Sequence, residues 1–373
     1  MKEFSRWNLI ELSVIIPTFN EKQNLEELTR RLTQSLEEVE HEIIIVDDDS
    51  PDGTFQEAER IKKETNRKVK PFLRTENHGL SKSVVKGFKE ASGDKVVVMD
   101  ADLQHPPEKV IELAEKVTDR KPVAIGTRYT RKGEINGWSW FRRTVSKGAI
   151  LLSKIAVPEA RKSSDPVSGF FAVKKDRINP EKLSPHGYKI LLEVLSQVKP
   201  EKVEEVGFTF EEREEGESNL GLQQYIKFLE HAAECRLKHH GFDRYMDPRK
   251  TIRFAEFGAV GASGVLINNL IFLPLTSIKV HYAIAGFFAF AGAVQWNFFW
   301  NWLITFNKPE ENIREKYIKF NTVSLGGLLI YQAALFVMIG ILEQPELISN
   351  MTAILTSFLW NFAGSENVAF QPE

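Results

Sequence analysis

The stretch VVVMDADLQHP brings two carboxylates to the end of an apolar run. Asp100 and Asp102 lie two residues apart, and Gln104 follows at the same spacing. Oxygen ligands arranged in this way suit a hard divalent ion, Mg²⁺ or Mn²⁺, that keeps coordination positions open for phosphate oxygens. Such an ion would neutralise a diphosphate as it leaves a substrate. The alternative is that one aspartate only caps the helix that the following prolines predict.

Alternating strands and helices are predicted to position this pair. Apolar runs of strand length end at polar clusters, and stretches with helical leucine spacing, such as NLEELTRRLTQSL, come between them. The alternation predicts a Rossmann-like α/β domain with a mostly parallel sheet and ligands at the carboxyl ends of its strands. The clusters PTFNE, DDDSPDGT, DADLQ and GTRY would then share one edge of the sheet. The chain has no Gly-x-Gly-x-x-Gly and no P-loop motif, which argues against a Rossmann dehydrogenase and a P-loop NTPase.

The cluster DDDSPDGT offers further acids to the same edge. Asp52 and Gly53 form an ordinary turn signal, so part of this cluster is predicted to be structural. We expect one strand-end acid, Asp48, to hold a ribose or a base. Glu21, which ends the first cluster, either lies against the same nucleotide or only caps the next helix.

Composition separates the chain into two unlike parts. Lys and Arg number 49 against 51 Asp and Glu, a balance that gives no reason to expect nucleic acid as a partner. The single cysteine, Cys235, excludes an intrachain disulfide and a zinc site built on cysteines. Charged residues are frequent up to the stretch DRYMDPRKTIRF. After it they occur in short clusters between long apolar runs. We therefore predict two domains, residues 1–245 and 246–373.

The second domain is predicted to span a membrane, because each of its apolar runs approaches the roughly 20 residues that a spanning helix needs. Arg and Lys concentrate before the first run and between the second and third, which places both termini and the first domain on the cytoplasmic side. The alternative is a large buried helical bundle. The four predicted helices cover residues 254–278, 282–306, 320–342 and 347–363.

Two amphipathic stretches of the first domain are predicted to lie at the bilayer surface. Residues 138–157 combine tryptophans and arginines with an apolar run too short to span, and residues 221–242 have a similar pattern. Helices of this kind lie in the interface, where the phosphate of a lipid is found. Packing against the core of the domain is the alternative for each.

The ordered motifs VIIPTFNE, VDDDSPDGT, DADLQHPPE, GTRY, SDPVSGFF and EEREEGESNLG resemble those of the polyprenol-phosphate sugar synthases, and among them the mannose synthases that use dolichyl phosphate. These are inverting glycosyltransferases of family 2 with a GT-A fold. The resemblance covers residues 12–240, and the second domain resembles the GtrA-type transmembrane domain fused to some members. The chain departs from the family at Phe19, often Tyr, and at Asn219, often Lys. Because Asn219 replaces a lysine, it is open whether this chain makes the cationic contact that the lysine provides in the family.

The resemblance implies a role for residues at each motif. Nucleotide-sugar contacts fall on Pro17, Phe19, Glu21, Val46, Asp48, Asp100, Ala101, Asp102 and Gln104. The metal falls on Asp100, Asp102 and Gln104. Catalytic positions are Asp100, Asp102, Arg128 and Arg213. Arg128 and Arg213 fall at phosphate-contacting positions. Since arginine suits bidentate contact with phosphate, the candidates for the acceptor phosphate are Arg128, Arg142, Ser146 and Arg213. For Arg142 the alternative is a solvated helix end or a contact with lipid head groups, and Asp165 is expected to position other groups rather than to act as a base.

The activity that the resemblance implies is transfer of mannose from GDP-mannose to dolichyl (polyprenyl) phosphate, with inversion and with a divalent metal as cofactor. Since a lipid phosphate is already an anionic nucleophile, no general base is obligatory. Two alternatives stay open. One is a glucosyltransferase that uses UDP-glucose and polyprenyl phosphate, since the residues alone do not choose guanine over uracil. The other, of a different class, is a lipid transporter or flippase with a regulatory soluble domain.

Overall fold

The computed structural model describes residues 12–76, 78–130, 134–135, 140–183, 189–210, 222–241, 247–280, 282–306, 312–344 and 346–370. The chain divides into two compact units, Met1–Phe242 and Asp243–Glu373.

A mixed seven-stranded sheet forms the centre of the first unit. The strands of this unit are β1 (Leu12–Thr18), β2 (His41–Asp47), β3 (Val69–Leu73), β4 (Lys95–Val98), β5 (Val123–Thr127), β6 (Glu134–Ile135), β7 (Phe171–Lys174), β8 (Glu204–Gly207) and β9 (Thr209–Phe210). The order across the large sheet is β3-β2-β1-β4-β7-β5-β8, and β6 pairs with β9 separately. Strands β1 to β5 all run in one direction, so the predicted mostly parallel sheet is confirmed.

Strand β7 is the one antiparallel member of the large sheet, and the sequence analysis does not predict it. It lies between β4 and β5, with Phe171 opposite both Val98 and Ile125. Because β7 runs antiparallel to its neighbours, it begins at the edge where β4 and β5 end. The segment before β7 therefore joins the edge that carries the polar clusters.

Helices cover both faces of the sheet. They are α1 (Lys22–Ser35), α2 (Thr54–Glu64), α3 (Leu80–Glu90), α4 (Lys109–Lys116), α5 (Trp140–Ala156), α6 (Ile190–Val198) and α7 (Leu222–His239). Successive residues of β1 point to opposite faces, so Ile15 packs in one core with Phe88 of α3 while Ile16 packs in the other core with Leu25 of α1. The leucine spacing of α1 thus produces the buried face that it predicts.

The two stretches predicted to lie at the bilayer surface form α5 and α7. Helix α5 leaves Leu151 and Ile155 exposed, and α7 exposes Leu229. Helix α7 also buries Phe228 and Cys235 in the core of the first unit. Core packing therefore accounts for one face of α7, while exposed apolar side chains are present on both helices.

The second unit consists of long helices. They are α8 (Pro248–Ser277), α9 (Tyr282–Trp300), α10 (Ile313–Leu335) and α11 (Glu346–Gly364), and the last three continue as π-helical turns at Asn301–Thr305, Phe336–Ile341 and Ser365–Ala369. Within the described part of the chain, two segments are long and apolar enough to cross a membrane by length and composition, Pro248–Ile271 and Ile313–Met338. The helical character of this unit is confirmed, and the count of four spanning helices stays a prediction.

Candidate active site

The loop after β4 carries the two aspartates of the DADLQ cluster. Asp102 Oδ1 accepts a hydrogen bond from Gln104 N at 3.2 Å. Leu103 lies between them in a left-handed conformation with φ of 60°, which costs a leucine about 1–2 kcal/mol. Strain of this kind persists where the surrounding structure fixes the shape of a functional loop. Ala101 is buried in the core, whereas 37% of the Asp100 side chain is exposed.

His105 holds the backbone of the first aspartate. Asp100 N donates to His105 Nδ1 at 3.0 Å, and the imidazole stacks on Phe170 with ring centroids 5.1 Å apart. Burial lowers the pKa of His105 to about 4, so the ring is neutral at pH 7. Because Nδ1 accepts, the ring proton is assigned to Nε2. The sequence analysis does not select His105, since its position in a helix-leading turn carries no signal of this contact.

Gly169, in the segment before β7, leaves room for the Asp100 carboxylate. A Cβ at this position would lie 2.9 Å from Asp100 Oδ2 and 3.3 Å from His105 Cε1. Only glycine allows the backbone of the SDPVSGFF motif to come this close to the aspartate without displacing it. The antiparallel course of β7 thus places a second motif beside the DADLQ loop.

Arg128 and Asp165 form a buried bidentate ion pair where β5 ends. Arg128 Nε donates to Asp165 Oδ2 at 2.8 Å and Nη2 donates to Oδ1 at 3.0 Å. The Arg128 side chain is 10% exposed and Asp165 is fully buried. Burial lowers the pKa of Arg128, but the neighbouring Asp165 carboxylate outweighs it and the pKa is raised overall. Since both carboxylate oxygens bind the guanidinium, the geometry favours the positioning role of Asp165.

Ser146 of α5 is connected to the same loop. Its Oγ lies 2.9 Å from the hydroxyl of Tyr129, the residue after Arg128. Arg142 also lies in α5, but its side chain is outside the described part of the structure, as are Arg213 and Asn219. The roles of these three residues stay predictions.

Lys189, immediately before α6, is a cation that the sequence analysis misses. Burial and the nearby Arg128 lower the pKa of Lys189 to about 8, while the charges of Asp100 and Asp165 raise it. The Lys189 ammonium therefore interacts electrostatically with Arg128, Asp100 and Asp165. A single lysine before an apolar helix has no motif spacing, so only the tertiary structure identifies it.

Asp48, the predicted ribose or base ligand, is held by three groups of the loop after β3 and of α3. Arg74 forms an ion pair with its carboxylate, Gly79 N donates to Oδ2, and Ser83 Oγ donates to Oδ1 at 2.9 Å. These three groups fix the Asp48 side chain, which is 7% exposed, and its contact with a ribose or a base stays a prediction.

The residues predicted to contact the nucleotide from β1 and β2 differ in exposure. Pro17 and Val46 pair across the two strands and are buried, so a ligand would meet their backbone. Phe19 is 54% exposed at the end of β1. Glu21 Oε2 accepts a hydrogen bond from Asn24 Nδ2 at 2.7 Å, and its side chain makes no cap to the backbone of α1.

Two other acids of the DDDSPDGT cluster have structural partners, as the turn signal predicts. Asp47 Oδ1 accepts from Thr18 Oγ1 at 2.9 Å and from Ser50 Oγ at 2.6 Å. Asp52 Oδ1 accepts from the backbone and hydroxyl of Thr54, where α2 begins. These bonds shape the loop after β2.

The donor set of the DADLQ loop fits a hard divalent cation. Asp100, Asp102 and Gln104 offer carboxylate and amide oxygens from one turn, and Gly169 keeps open the space beside the Asp100 carboxylate that a Cβ would fill. A site with few protein ligands leaves coordination positions for phosphate, as magnesium sites usually do. The same edge carries the Arg128 guanidinium, so it combines ligands for a cation with a cation for phosphate.

Comparison with known proteins finds matches in both units of the chain. The family model Glycosyl transferase family 2 matches residues 13–178, and the GtrA/DPMS transmembrane domain matches residues 256–370. The dolichol-phosphate mannosyltransferase of Pyrococcus furiosus is 39% identical over 94% of this chain and 96% of its own length. The protein belongs to glycosyltransferase family 2.

Two further comparisons match about three fifths of this glycosyltransferase. The dolichol-phosphate mannosyltransferase of Saccharomyces cerevisiae is 38% identical over 60% of this chain and 86% of its own length. The glucosyl-3-phosphoglycerate synthase of Mycobacterium tuberculosis, solved with Mn²⁺ and UDP, is 18% identical with a TM-score of 0.48, over 62% of this chain and 80% of that one. The prediction of a GT-A-like α/β domain followed by a helical, GtrA-type domain is confirmed.

Proposed function

We propose that this glycosyltransferase moves mannose from GDP-mannose to dolichyl phosphate, or to a related polyprenyl phosphate, with inversion at the anomeric carbon. The observation that carries the proposal is the edge of the sheet where the Asp100–Asp102 loop after β4 and the Arg128–Asp165 pair at the end of β5 lie on either side of the segment before β7. Cation ligands beside fixed positive charges suit a reaction that joins two phosphate-bearing substrates. The names of the relatives, one of which matches nearly the whole chain, support mannose and dolichyl phosphate.

The chain's own residues hold the two substrates together. A phosphate oxygen of the lipid attacks the anomeric carbon of mannose, the bond from that carbon to the diphosphate breaks, and GDP leaves on the opposite side. Arg128, held in place by Asp165, would supply positive charge to phosphate oxygens. Lys189 adds a second positive charge at the same edge. No proton is removed from the acceptor, so Asp165 can be fully engaged with Arg128.

The predicted metal and acceptor ligands complete the site. Asp100, Asp102 and Gln104 would hold Mg²⁺ or Mn²⁺, which supplies positive charge to the leaving diphosphate. Ser146 of α5 would contact the acceptor phosphate, together with Arg142 and Arg213. Its 2.9 Å contact with Tyr129 connects α5 to the loop that carries Arg128.

The lipid substrate explains the membrane features of the chain. We propose that residues 246–373 form a membrane domain of four spanning helices, with both termini and residues 1–245 on the cytoplasmic side. The match of the GtrA/DPMS transmembrane domain and the two apolar segments support membrane insertion. Exposed Leu151 and Ile155 of α5 and Leu229 of α7 support contact of these helices with a bilayer surface.

A donor and acceptor assay tests the function. Detergent-solubilised protein is incubated with dolichyl phosphate, Mg²⁺ or Mn²⁺, and either GDP-mannose or UDP-glucose, and lipid-linked sugar is extracted and counted. We expect a mannolipid from GDP-mannose. Its formation should be lost in Asp102→Ala and kept in Asp119→Ala, an exposed aspartate on the loop before β5. Product from UDP-glucose alone would replace the mannose assignment, and no lipid product from either donor would refute lipid-phosphate glycosyl transfer.

A further inference from the structure

A buried cluster of three different metal-ligand types lies between α6 and α7, away from the DADLQ loop in sequence. Glu193 comes from α6, and His231 and Cys235 come from α7. The two α7 residues are four positions apart, which places their side chains on one face of the helix. Their exposed fractions are 6% for Glu193, 0% for His231 and 1% for Cys235.

The ligand atoms of this cluster are spaced as tetrahedral zinc requires. Bond lengths of 2.0–2.3 Å to zinc separate two tetrahedral ligand atoms by roughly 3.3–3.8 Å. His231 Nε2 lies 3.5 Å from Glu193 Oε1, and Cys235 Sγ lies 3.9 Å from the same oxygen. All three ligand atoms lie within 4.8 Å of one another. Small side-chain adjustments would bring each of them to bonding distance of one ion.

The imidazole of His231 is fully buried, and its Nδ1 has no hydrogen-bond partner among the described residues. Its Nε2 faces Glu193 Oε1 at 3.5 Å, without the geometry of a hydrogen bond. An unpaired buried nitrogen costs about 1–3 kcal/mol. A metal bound at Nε2 would remove this cost. The lack of hydrogen bonds to the ring from the described residues is independent of the spacing of the ligand atoms.

Two carboxylates and one ammonium lie beside the ligand atoms. Lys238 Nζ lies 3.3 Å from Glu193 Oε1 and 2.9 Å from Glu234 Oε1. Binding of Zn²⁺ with loss of the Cys235 proton would add one net positive charge next to these carboxylates. Lys238 then keeps its contact with Glu234.

We propose that Glu193, His231 and Cys235 bind one Zn²⁺ ion that clamps α7 to α6. A sulfur, a nitrogen and an oxygen ligand suit zinc, in contrast to the all-oxygen set of the DADLQ loop. Coordination forms a Zn–S bond and releases the thiol proton to solvent. The site tolerates a single cysteine because its donor set is mixed. Since Lys189 lies one turn before Glu193, the clamp also fixes the end of α6 that reaches the candidate active site.

Cobalt titration of the full-length protein tests the site. The protein carrying Asp102→Ala is purified in detergent, freed of metal by a chelator and titrated with Co²⁺, so that binding at the DADLQ loop does not contribute. We expect one equivalent of Co²⁺ to bind with a thiolate-to-cobalt charge-transfer absorption, because Cys235 is the only cysteine. Added Zn²⁺ should displace the cobalt and remove the absorption, and metal analysis should then find one zinc per chain.

Matched variants assign the ligands. Cys235→Ser should abolish the charge-transfer absorption and His231→Gln should weaken Co²⁺ binding at least tenfold. His240→Gln, which changes an exposed histidine just after α7, should leave both unchanged. Absence of the charge-transfer absorption in the folded protein with its native thiol would overturn the proposal, whatever the variants do. The proposal would also be overturned if a folded His231→Gln protein kept the native charge-transfer absorption and the native affinity for Co²⁺.

Discussion

Replacing Asp165 with asparagine tests how the site holds its arginine. The substitution keeps the size of the side chain but removes the charge that balances Arg128. It also leaves at most one oxygen where two now accept, at 2.8 and 3.0 Å. The guanidinium would then be buried without its counter-charge.

The burial of this pair sets the expected magnitude. Breaking a buried ion pair by removing one partner costs about 3–5 kcal/mol. For a unit of this size each kcal/mol lowers the melting temperature by about 2–4 °C, so a decrease of roughly 6–12 °C is expected at the lower end of that cost. Activity should fall as well, because Arg128 would no longer be fixed toward the phosphates.

The chain offers a control with the same bond geometry and different burial. Arg31 binds Glu108 through two hydrogen bonds of 2.7 Å, but the side chains are 30% and 54% exposed. Exposed pairs contribute about 0–1 kcal/mol. Glu108→Gln should therefore shift the melting temperature by less than about 4 °C and leave mannolipid formation unchanged.

Thermal unfolding of the detergent-solubilised protein, followed by tryptophan fluorescence, compares the two variants with the native chain. Mannolipid formation is measured on the same samples. Equal small shifts for both variants would refute the argument that burial makes the Arg128–Asp165 pair costly to break. Full activity of Asp165→Asn would refute the positioning role.

Three further predictions concern the same edge. Asp102→Ala should lower mannolipid formation by about 100-fold or more, which is the scale of removing a transition-state charge contact. If the rate of this variant depended on metal concentration as in the native chain, the metal assignment would be contradicted. Lys189 has a lowered pKa of about 8, so its charge and the rate should be present below that pH and lost as pH rises through it. The free energy of unfolding should rise between about pH 8 and pH 10.5, because over this range the unfolded chain still binds the Lys189 proton and the folded chain has lost it. A rate loss that Lys189→Arg does not shift to higher pH would exclude Lys189 as its cause. Gly169→Ala places a Cβ 2.9 Å from Asp100 Oδ2 and should reduce kcat about tenfold or more by displacing the carboxylate, whereas Gly148→Ala, with open space around its Cβ, should not.

Local patterns predicted the parallel strands and the polar loops at their ends. Apolar runs such as EIIIVD form buried strands, and parallel pairing brings the loops after them to one edge. The hydrogen bonds from Thr54 to Asp52 follow from an equally local signal, since the two residues are two positions apart. The bond from Lys22 N to Asp52 spans 30 residues and does not follow from it. Contacts between neighbours in sequence can be read from residue type and spacing.

Strand β7 and the groups near it could not be predicted in this way. Its four residues have no periodicity that distinguishes a strand, and its antiparallel insertion depends on the space between β4 and β5. That insertion brings Gly169 beside Asp100 and sets Asp165 against Arg128 across 37 residues of sequence. Long-range contacts of this kind follow from topology and not from local propensity.

The sequence by itself determined which loops bring polar side chains to the ends of the strands, because the apolar runs and the residue types after them are local features of the chain. The roles of Asp100, Asp102 and Arg128 in binding metal and phosphate stay predictions. Only the tertiary structure decided how these groups are held, with His105 accepting from the Asp100 backbone and Asp165 binding Arg128. The physical reason is that hydrogen bonds and buried charge pairs depend on distances between distant segments, which only the packed sheet fixes.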